Sequence, residues 1–309
     1  MDSDIEYRNC PCCGHDDFEV VFESNMKADD VREVVETVYM IPGDKHGRHV
    51  RCRNCHLIYV NPIEKTSRIN RAYSQRKSTD ASIMRRMRLR ASRSQLELVD
   101  QRILHRNGLN LLDVGCGEGF FLSNASRAGY SVKGIELSED AAEYARREFG
   151  LDVEAKPFEE LHLPESQFDA VTLWQVLEHV PHPLAILREA HRILKPGGLL
   201  AVSTPDIGGT PARVLRSRWW NIRMVHINHF TTETITTLLS NAGFQDISTV
   251  SYRECISLLA LFIPVLKYLK LYGPMRALVS PDSVLGRTLN RTMVAYPSRL
   301  DNCTVVSFK

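Results

Sequence analysis

In the segment LLDVGCGEGFF, residues 111–121, an apolar run breaks into glycines at Gly115, Gly117 and Gly119. Such a junction predicts a strand, a tight turn and a helix beginning near Glu118. Glycine suits the turn because its backbone conformations are closed to other residues, and because a missing Cβ lets a ligand approach the main chain. The helix start then aims free N–H groups at that ligand. The spacing is GxGxG, with Phe120 where a dinucleotide fingerprint would carry its last glycine. Downstream, SVKGIELS predicts a second strand ending in Glu136, a carboxylate placed to accept from two ribose hydroxyls. Turn and acid together point to an adenosine-containing ligand.

A second constellation lies near the N-terminus. Cys10 and Cys13 in CPCCG, and Cys52 and Cys55 in CRNCH, make two CxxC knuckles. Each knuckle presents two thiolates, so one tetrahedral zinc ion can close the site with four sulfurs. The 38 residues between Cys13 and Cys52 make this a zinc ribbon with an insertion. Cys12 and His56 are competing ligands, although the inner positions of a knuckle usually point away. Disulfides are the other reading, and a cytoplasmic setting disfavours them. Four thiolates leave no position for substrate, which makes the zinc structural.

Further segments follow the glycine turn in order. FDAVTLWQVLEHVPHP, residues 168–183, reads as a strand and the loop after it, and ILKPGGLLAVSTPD, residues 193–206, as the next strand with its turn. With Asp113, the glycines and Glu136, these segments resemble the class I S-adenosylmethionine (SAM) dependent methyltransferases, well over roughly 108–252 and poorly over 253–309. The resemblance implies SAM as cofactor, held by Asp113, Gly115, Cys116, Gly117, Gly119, Glu136, Leu137, Phe158, Trp174 and Gln175. Many relatives carry an acid after the third strand to read the adenine amino group. Here Pro157 occupies that place, which leaves adenine to main-chain groups near Phe158, with Trp174 and Leu161 as walls.

The methyl sulfonium of SAM is already activated, so the protein supplies alignment and, for a hydroxyl or acidic C–H acceptor, a base. Candidate bases are Glu178 and His179 in LEHV, and His226 and His229 in RSRWWNIRMVHINHF. Each has a plainer role open to it: Glu178 and His179 can shape the pocket floor, and a lone histidine is commonly structural. Trp219 and Trp220 suit a lid over a flat or sugar-like acceptor, or simply close the core. Cys116 lies inside the turn and is not a nucleophile.

The elements that position these residues alternate strand and helix, which predicts a doubly wound, mostly parallel sheet. Ser138 is expected to cap a helix ended by Gly150, and Thr231 one ended by Gly243. GFQDISTVSY and CTVVSFK supply the last two strands, an antiparallel edge pair by the resemblance. The expected fold is therefore α/β, a seven-stranded Rossmann-like methyltransferase sheet with a small N-terminal zinc ribbon. Its expected divisions are a ribbon over 1–63, a basic helical linker over 64–106, and a methyltransferase domain over 107–309 with a cap insertion at about 253–300.

The linker is centred on RRMRLRASR, with Ile83, Met87, Ala91, Leu98 and Leu104 approximating one helical face. It reads as a solvated helix packed on the sheet, or as a surface for phosphate. CISLLALFIPVLKYLKLYGPM, residues 255–275, is apolar enough to lie on a membrane, with Lys267 and Lys270 for headgroups. Pro264 interrupts it, and a cap or dimer contact is the preferred reading. At 309 residues and 43% hydrophobic content the chain can bury a full core, and its formal net charge of +2 does not select a polyanionic partner. MDSDIEYRNC has no signal-peptide character and no apolar run reaches membrane-spanning length, so a cytoplasmic location is expected. The activity expected is methyl transfer to a hydroxyl or carbon of a small metabolite, a saccharide or nucleotide-linked sugar. An rRNA base methyltransferase and a non-catalytic SAM-binding regulator are the alternatives.

Overall fold

The computed structural model describes residues 5–26, 46–75, 82–103, 108–268, 271–280 and 283–309. Leu104, Lys270 and part of the ribbon insertion lie outside them. The N-terminal part contributes β1 (Ile5–Glu6), β2 (Phe18–Phe22), β3 (His49–Cys52), β4 (Ile58–Val60), β5 (Ile63–Glu64), α1 (Thr66–Ser74) and α2 (Ser82–Asp100). The alternating part follows with β6 (Asn110–Val114), α3 (Phe120–Arg127), β7 (Ser131–Ile135), α4 (Glu139–Phe149), β8 (Val153–Glu154), β9 (Phe168–Trp174), α5 (Pro183–Ile193) and β10 (Leu194–Pro205). The chain then forms α6 (Thr210–Leu215), β11 (Asn228–His229), α7 (Thr232–Asn241), β12 (Gln245–Val250), β13 (Arg253–Ser257), α8 (Leu258–Tyr268), α9 (Tyr272–Met275), α10 (Val284–Arg291), β14 (Met293–Pro297) and β15 (Asn302–Phe308).

Seven strands form the central sheet in the order β12-β15-β10-β9-β6-β7-β8. The run from β10 to β8 is parallel, and β15 pairs antiparallel with both β10 and β12. The two-residue alternation of a strand sorts its side chains onto two faces. Leu111, Ala170, Leu199 and Ala201 pack on one face with Val99 of α2 and Phe121 of α3. Leu112, Val171, Leu200 and Val202 pack on the other with Leu187 of α5 and Leu238 of α7. Both faces are thus covered by helices, as a buried parallel sheet requires. The local signals agree: Ser138 accepts from the Ala141 N–H, Gly150 closes α4 in the left-handed conformation, and Thr231 caps α7.

The ribbon is joined to this sheet more intimately than a separate module would be. Val50, Leu57 and Tyr59 belong to the same apolar cluster as Leu112 and Val171. Strand β11, from the loop after β10, adds to the ribbon sheet beside β4, giving the order β11-β4-β3-β2. Arg8 closes this junction. Its guanidinium donates to Val60 O (3.3 Å), Pro181 O (2.8 Å), Ile227 O (2.9 Å) and Asn228 Oδ1 (3.0 Å). Burial lowers its pKa to about 10, which still leaves it charged at neutral pH. Asn228 is fully buried and donates to Leu177 O and Val180 O.

The linker holds two helices, α1 and α2, separated by residues outside the description. Three of its arginines meet partners inside the molecule. Arg68 pairs with Glu64 at 3.1 Å, Arg88 with Glu118 at 2.9 Å, and Arg85 lies over the Phe120 and Tyr144 rings. Strands β13 and β14 pair antiparallel with α8, α9 and α10 between them. Leu261, Phe262 and Leu271 are exposed there, and among the described residues of 255–275 none lines the main cavity. No helix among the described residues is long and apolar enough to cross a membrane.

Replacing Asn228 by Ala leaves the Leu177 and Val180 carbonyls without this donor and removes one acceptor from Arg8. A loss of roughly 2–4 kcal/mol is expected. Thermal and urea melts check it, and an unchanged midpoint would show that this junction carries no stability.

Candidate functional site

A cavity of about 470 Å³ opens at the carboxyl end of the parallel strands, where such sheets bind ligands. The glycine turn forms one wall. Gly115, Gly117 and Gly119 all have positive φ, at 72°, 54° and 77°. A Cβ on Gly115 would stand 2.7 Å from Val176, and one on Gly119 2.7 Å from Leu151 and 2.9 Å from Ala145. Those two glycines therefore permit close packing. At Gly117 a Cβ would meet no protein atom within 4 Å, so this bare main chain is open to a ligand. Helix α3 begins at Phe120, two residues later than expected.

Glu136 is fixed against that turn. Its Oε2 accepts from the Gly117 N–H at 2.8 Å and its Oε1 from the Ser138 N–H at 2.9 Å. Each oxygen keeps a lone pair, and the side chain lines the cavity. Asp113 sits beneath, where Thr172 donates to its Oδ1 at 2.7 Å. Burial pushes the Asp113 carboxyl up to about 8, so it is substantially protonated at neutral pH. Cys116, Leu137, Pro157, Phe158, Trp174 and Gln175 also line the cavity, whereas Leu161 does not. Trp174 packs edge-on against Phe121 and Tyr252. Gln175 takes the left-handed conformation (φ 59°) where β9 ends, and its N–H donates to Ser203 O at 2.8 Å. A bare glycine turn, a clamped carboxylate one strand over and an aromatic wall fit the adenosine part of SAM.

Of the four candidate bases, only His179 lines the cavity. Its Nδ1 lies 2.8 Å from Val225 O and 2.7 Å from the Tyr73 hydroxyl. Glu178 is 1% exposed, accepts from Thr204 Oγ1 at 3.0 Å, and has its carboxyl pushed up to about 7 by burial. His226 is buried beside His179, with ring centroids 4.7 Å apart. His229 turns toward the ribbon, its Nε2 2.9 Å from His49 Nε2. Burial holds His226 and His229 well below the ordinary histidine pKa, so both are neutral. The indoles of Trp219 and Trp220 donate to the two oxygens of Asp301, each at 3.1 Å, and neither ring lines the cavity. The lid reading of these tryptophans is corrected: they lock the loop from behind.

The linker supplies lining that the sequence reading missed. Thr66, Ile69, Asn70 and Tyr73 come from α1, and Arg88, Ala91, Ser92 and Gln95 from α2. Both sets follow the three- and four-residue spacing of one helical face, which is the signal that could have found them. Tyr252 and Glu254 complete the wall from the β12–β13 connection and β13.

At the ribbon, Cys10, Cys13, Cys52 and Cys55 place their sulfurs within 4.8 Å of one another. Cys10 Sγ lies 3.4 Å from Cys55 Sγ, and Cys13 Sγ 3.6 Å from Cys52 Sγ. A zinc ion with bonds of about 2.3 Å sets its sulfurs about 3.8 Å apart, so the four fit one tetrahedral ion.

A family model described as a methyltransferase domain matches residues 84–249, and the chain belongs to that family. A ubiquinone biosynthesis O-methyltransferase of Xanthomonas oryzae pv. oryzae is 39% identical over 124 residues, covering 38% of this chain and 51% of that protein. A Mycolicibacterium smegmatis protein named "Probable S-adenosylmethionine-dependent methyltransferase" is 32% identical over 152 residues, covering 48% and 57%. The chain thus spans about half the length of the curated relatives it matches. The crystal structure of a SAM-dependent methyltransferase from Archaeoglobus fulgidus has a TM-score of 0.50 at 18% identity, covering 72% of this chain and 94% of that one, a likeness of fold.

Glu136→Ala should weaken binding of S-adenosylhomocysteine, the demethylated cofactor, by about ten- to a hundredfold, the worth of one or two charge-assisted hydrogen bonds. Calorimetric titration of the folded variant reads this directly. Unchanged affinity would place the ribose elsewhere.

Proposed function

We propose that this chain binds SAM against the glycine turn and Glu136 and transfers its methyl group to an oxygen of a small polar acceptor, a saccharide or nucleotide-linked sugar. A carbon acceptor is the lesser form of the same reading. The observation that carries it is that one cavity holds both the cofactor cradle and a wall of hydrogen-bonding side chains: Thr66, Asn70, Tyr73, Gln95, His179 and Glu254. Hydroxyl, amide, imidazole and carboxylate groups in that density suit an acceptor rich in hydroxyls. The relatives named as O-methyltransferases favour oxygen.

Bound SAM supplies an activated methyl sulfonium, and the chain's own groups do the rest. Glu136 and the Gly117 main chain fix the ribose, and Phe158 and Trp174 supply apolar walls. Tyr73 and His179, in contact at 2.7 Å, meet the acceptor and orient its hydroxyl for in-line attack. Alignment within a cavity closed by α1 and α2 excludes bulk water from the displacement. The arginines paired with Glu64 and Glu118 or stacked on aromatic rings leave less of the basic linker for phosphate, which weighs against RNA as acceptor.

We also infer that the cysteine cluster holds structural zinc, supported by the convergence of its sulfurs. Its loops frame β3 and β4, and β4 carries β11, so the ion would brace the acceptor side from outside the cavity.

Labelled SAM offered with panels of sugars, nucleotide sugars and phenols should label a hydroxylated acceptor. Tyr73→Phe should lower turnover about tenfold or more while leaving S-adenosylhomocysteine affinity intact. Failure of every acceptor despite tight cofactor binding would favour a regulator over an enzyme. Metal analysis should find at least one zinc per chain, and Cys52→Ser should lose it and melt at lower temperature. Zinc-free protein in which Cys52→Ser leaves folding untouched would overturn the ribbon.

A further inference from the structure

Tyr73 and His179 align the acceptor hydroxyl, but its proton still needs a destination. Attack by a neutral hydroxyl leaves a charged oxonium unless a base takes that proton, and such a base must line the cavity. Among the described residues, Asp113, Glu118, Glu136, Glu159 and Glu254 are the carboxyl groups that do so. Four of them have other roles. Asp113 is buried, substantially protonated and bonded to Thr172, Glu118 pairs with Arg88, and Glu136 holds the glycine turn and Ser138 with its two oxygens. Glu159 is exposed beside Phe158, on the cofactor side.

Glu254 has one oxygen to spare. Its Oε1 accepts from the Tyr252 hydroxyl at 2.5 Å and lies 3.5 Å from Asn302 Nδ2, whereas its Oε2 accepts from no described residue. Tyr252 is itself buried and fixed: Gln95 of α2 donates to its oxygen at 3.4 Å, and its ring packs on Trp174. Burial pushes the Tyr252 hydroxyl well above its ordinary pKa, so it remains a donor, and burial also raises the Glu254 carboxyl. A carboxylate raised in this way is a stronger base than one in water.

The sheet sets where that oxygen stands. Asn302 opens β15 opposite Pro205 at the end of β10, and its Oδ1 accepts at 3.3 Å from Nε2 of Gln175, where β9 ends. The glycine turn leaves β6, the next strand along, and Glu136 leaves β7 beyond it. Glu136 and Glu254 thus stand toward opposite ends of one row of strand ends, with the glycine turn between them. We propose that Glu254 is the general base of the reaction, taking the acceptor's hydroxyl proton on Oε2. The acceptor oxygen bonds to the methyl carbon as the C–S bond breaks, its electron pair staying on sulfur. The O–H proton passes to Glu254, which later yields it to water. Tyr252 occupies Oε1, and so leaves Oε2 for the acceptor. The inference rests on the methyl-transfer reading and deepens it.

The test compares the full chain with Glu254→Gln, in which Oε1 can still take the Tyr252 hydroxyl. Labelled SAM is offered with glucose, UDP-glucose and phenol, and the acceptor that the wild type methylates fastest is carried into kinetics. Turnover of Glu254→Gln should fall about a hundredfold or more, with its melting midpoint and its calorimetric affinity for S-adenosylhomocysteine unchanged. Where Glu254→Gln does not fold, Glu254→Asp keeps a carboxylate on a stem one methylene shorter, and its turnover should fall about tenfold. Turnover at the wild-type rate in the folded variant overturns the base. So does a tenfold loss of S-adenosylhomocysteine affinity in Glu254→Gln, which would put the carboxylate on the cofactor. Wild-type protein that binds S-adenosylhomocysteine yet methylates none of the three acceptors removes the methyl-transfer reading and the base with it, a result distinct from an active wild type beside an active variant.

Discussion

The buried guanidinium of Arg8 is the interaction on which the junction between ribbon and sheet depends. It joins carbonyls of three segments distant in sequence: Val60 of the ribbon, Pro181 after β9 and Ile227 beside β11. A buried charge is tolerable only when its donors are well matched, and here main-chain oxygens and Asn228 provide the match. With that junction closed, β11 can lie against β4, and the loop carrying His226 and His229 acquires a fixed position. The ribbon then shares its apolar core with the sheet and stands against the loop that carries His226 and His229.

The cofactor side rests on a different constraint. Parallel pairing of β6 with β7 brings Val114 opposite Ile135, so the glycine turn and Glu136 leave the sheet together. The Gly115 and Cys116 N–H groups both donate to Ile135 O, at 2.7 and 3.0 Å, and the Glu136 carboxylate returns to Gly117. Main chain and acid hold each other, so the cradle is organised before any ligand enters. Such preorganisation limits what must be ordered on binding.

Between these two sides the linker helices provide the closure. The arginines of α2 do not form one solvated stripe. Arg88 meets Glu118 beside the glycine turn, and Arg85 stacks on rings of α3 and α4. A run that reads as a polyanion surface in one dimension becomes, in three, part of a roof pinned over the cofactor region.

Much of the fold was determined by sequence alone, because its signals are local. The apolar run before Gly115, the apolar strand in FDAVTLW, the Ser138 and Thr231 caps and the CxxC knuckles each act within a few residues, and each appears where its chemistry predicts. The glycine turn and its partner acid were legible for the same reason: one strand and one helix separate them. What tertiary structure alone decided are matters of distant contact. His229 reads as a base in the linear chain, yet pairing with His49, 180 positions away, turns it from the cavity. Trp219 and Trp220 read as a lid until Asp301, some 80 residues on, takes both indole donors. Tyr73 and Gln95 carry no motif at all, and become cavity wall only because α1 and α2 fold back over the strand ends. A side chain's type is written in the sequence, but the direction it faces is set by long-range packing, which no local pattern encodes.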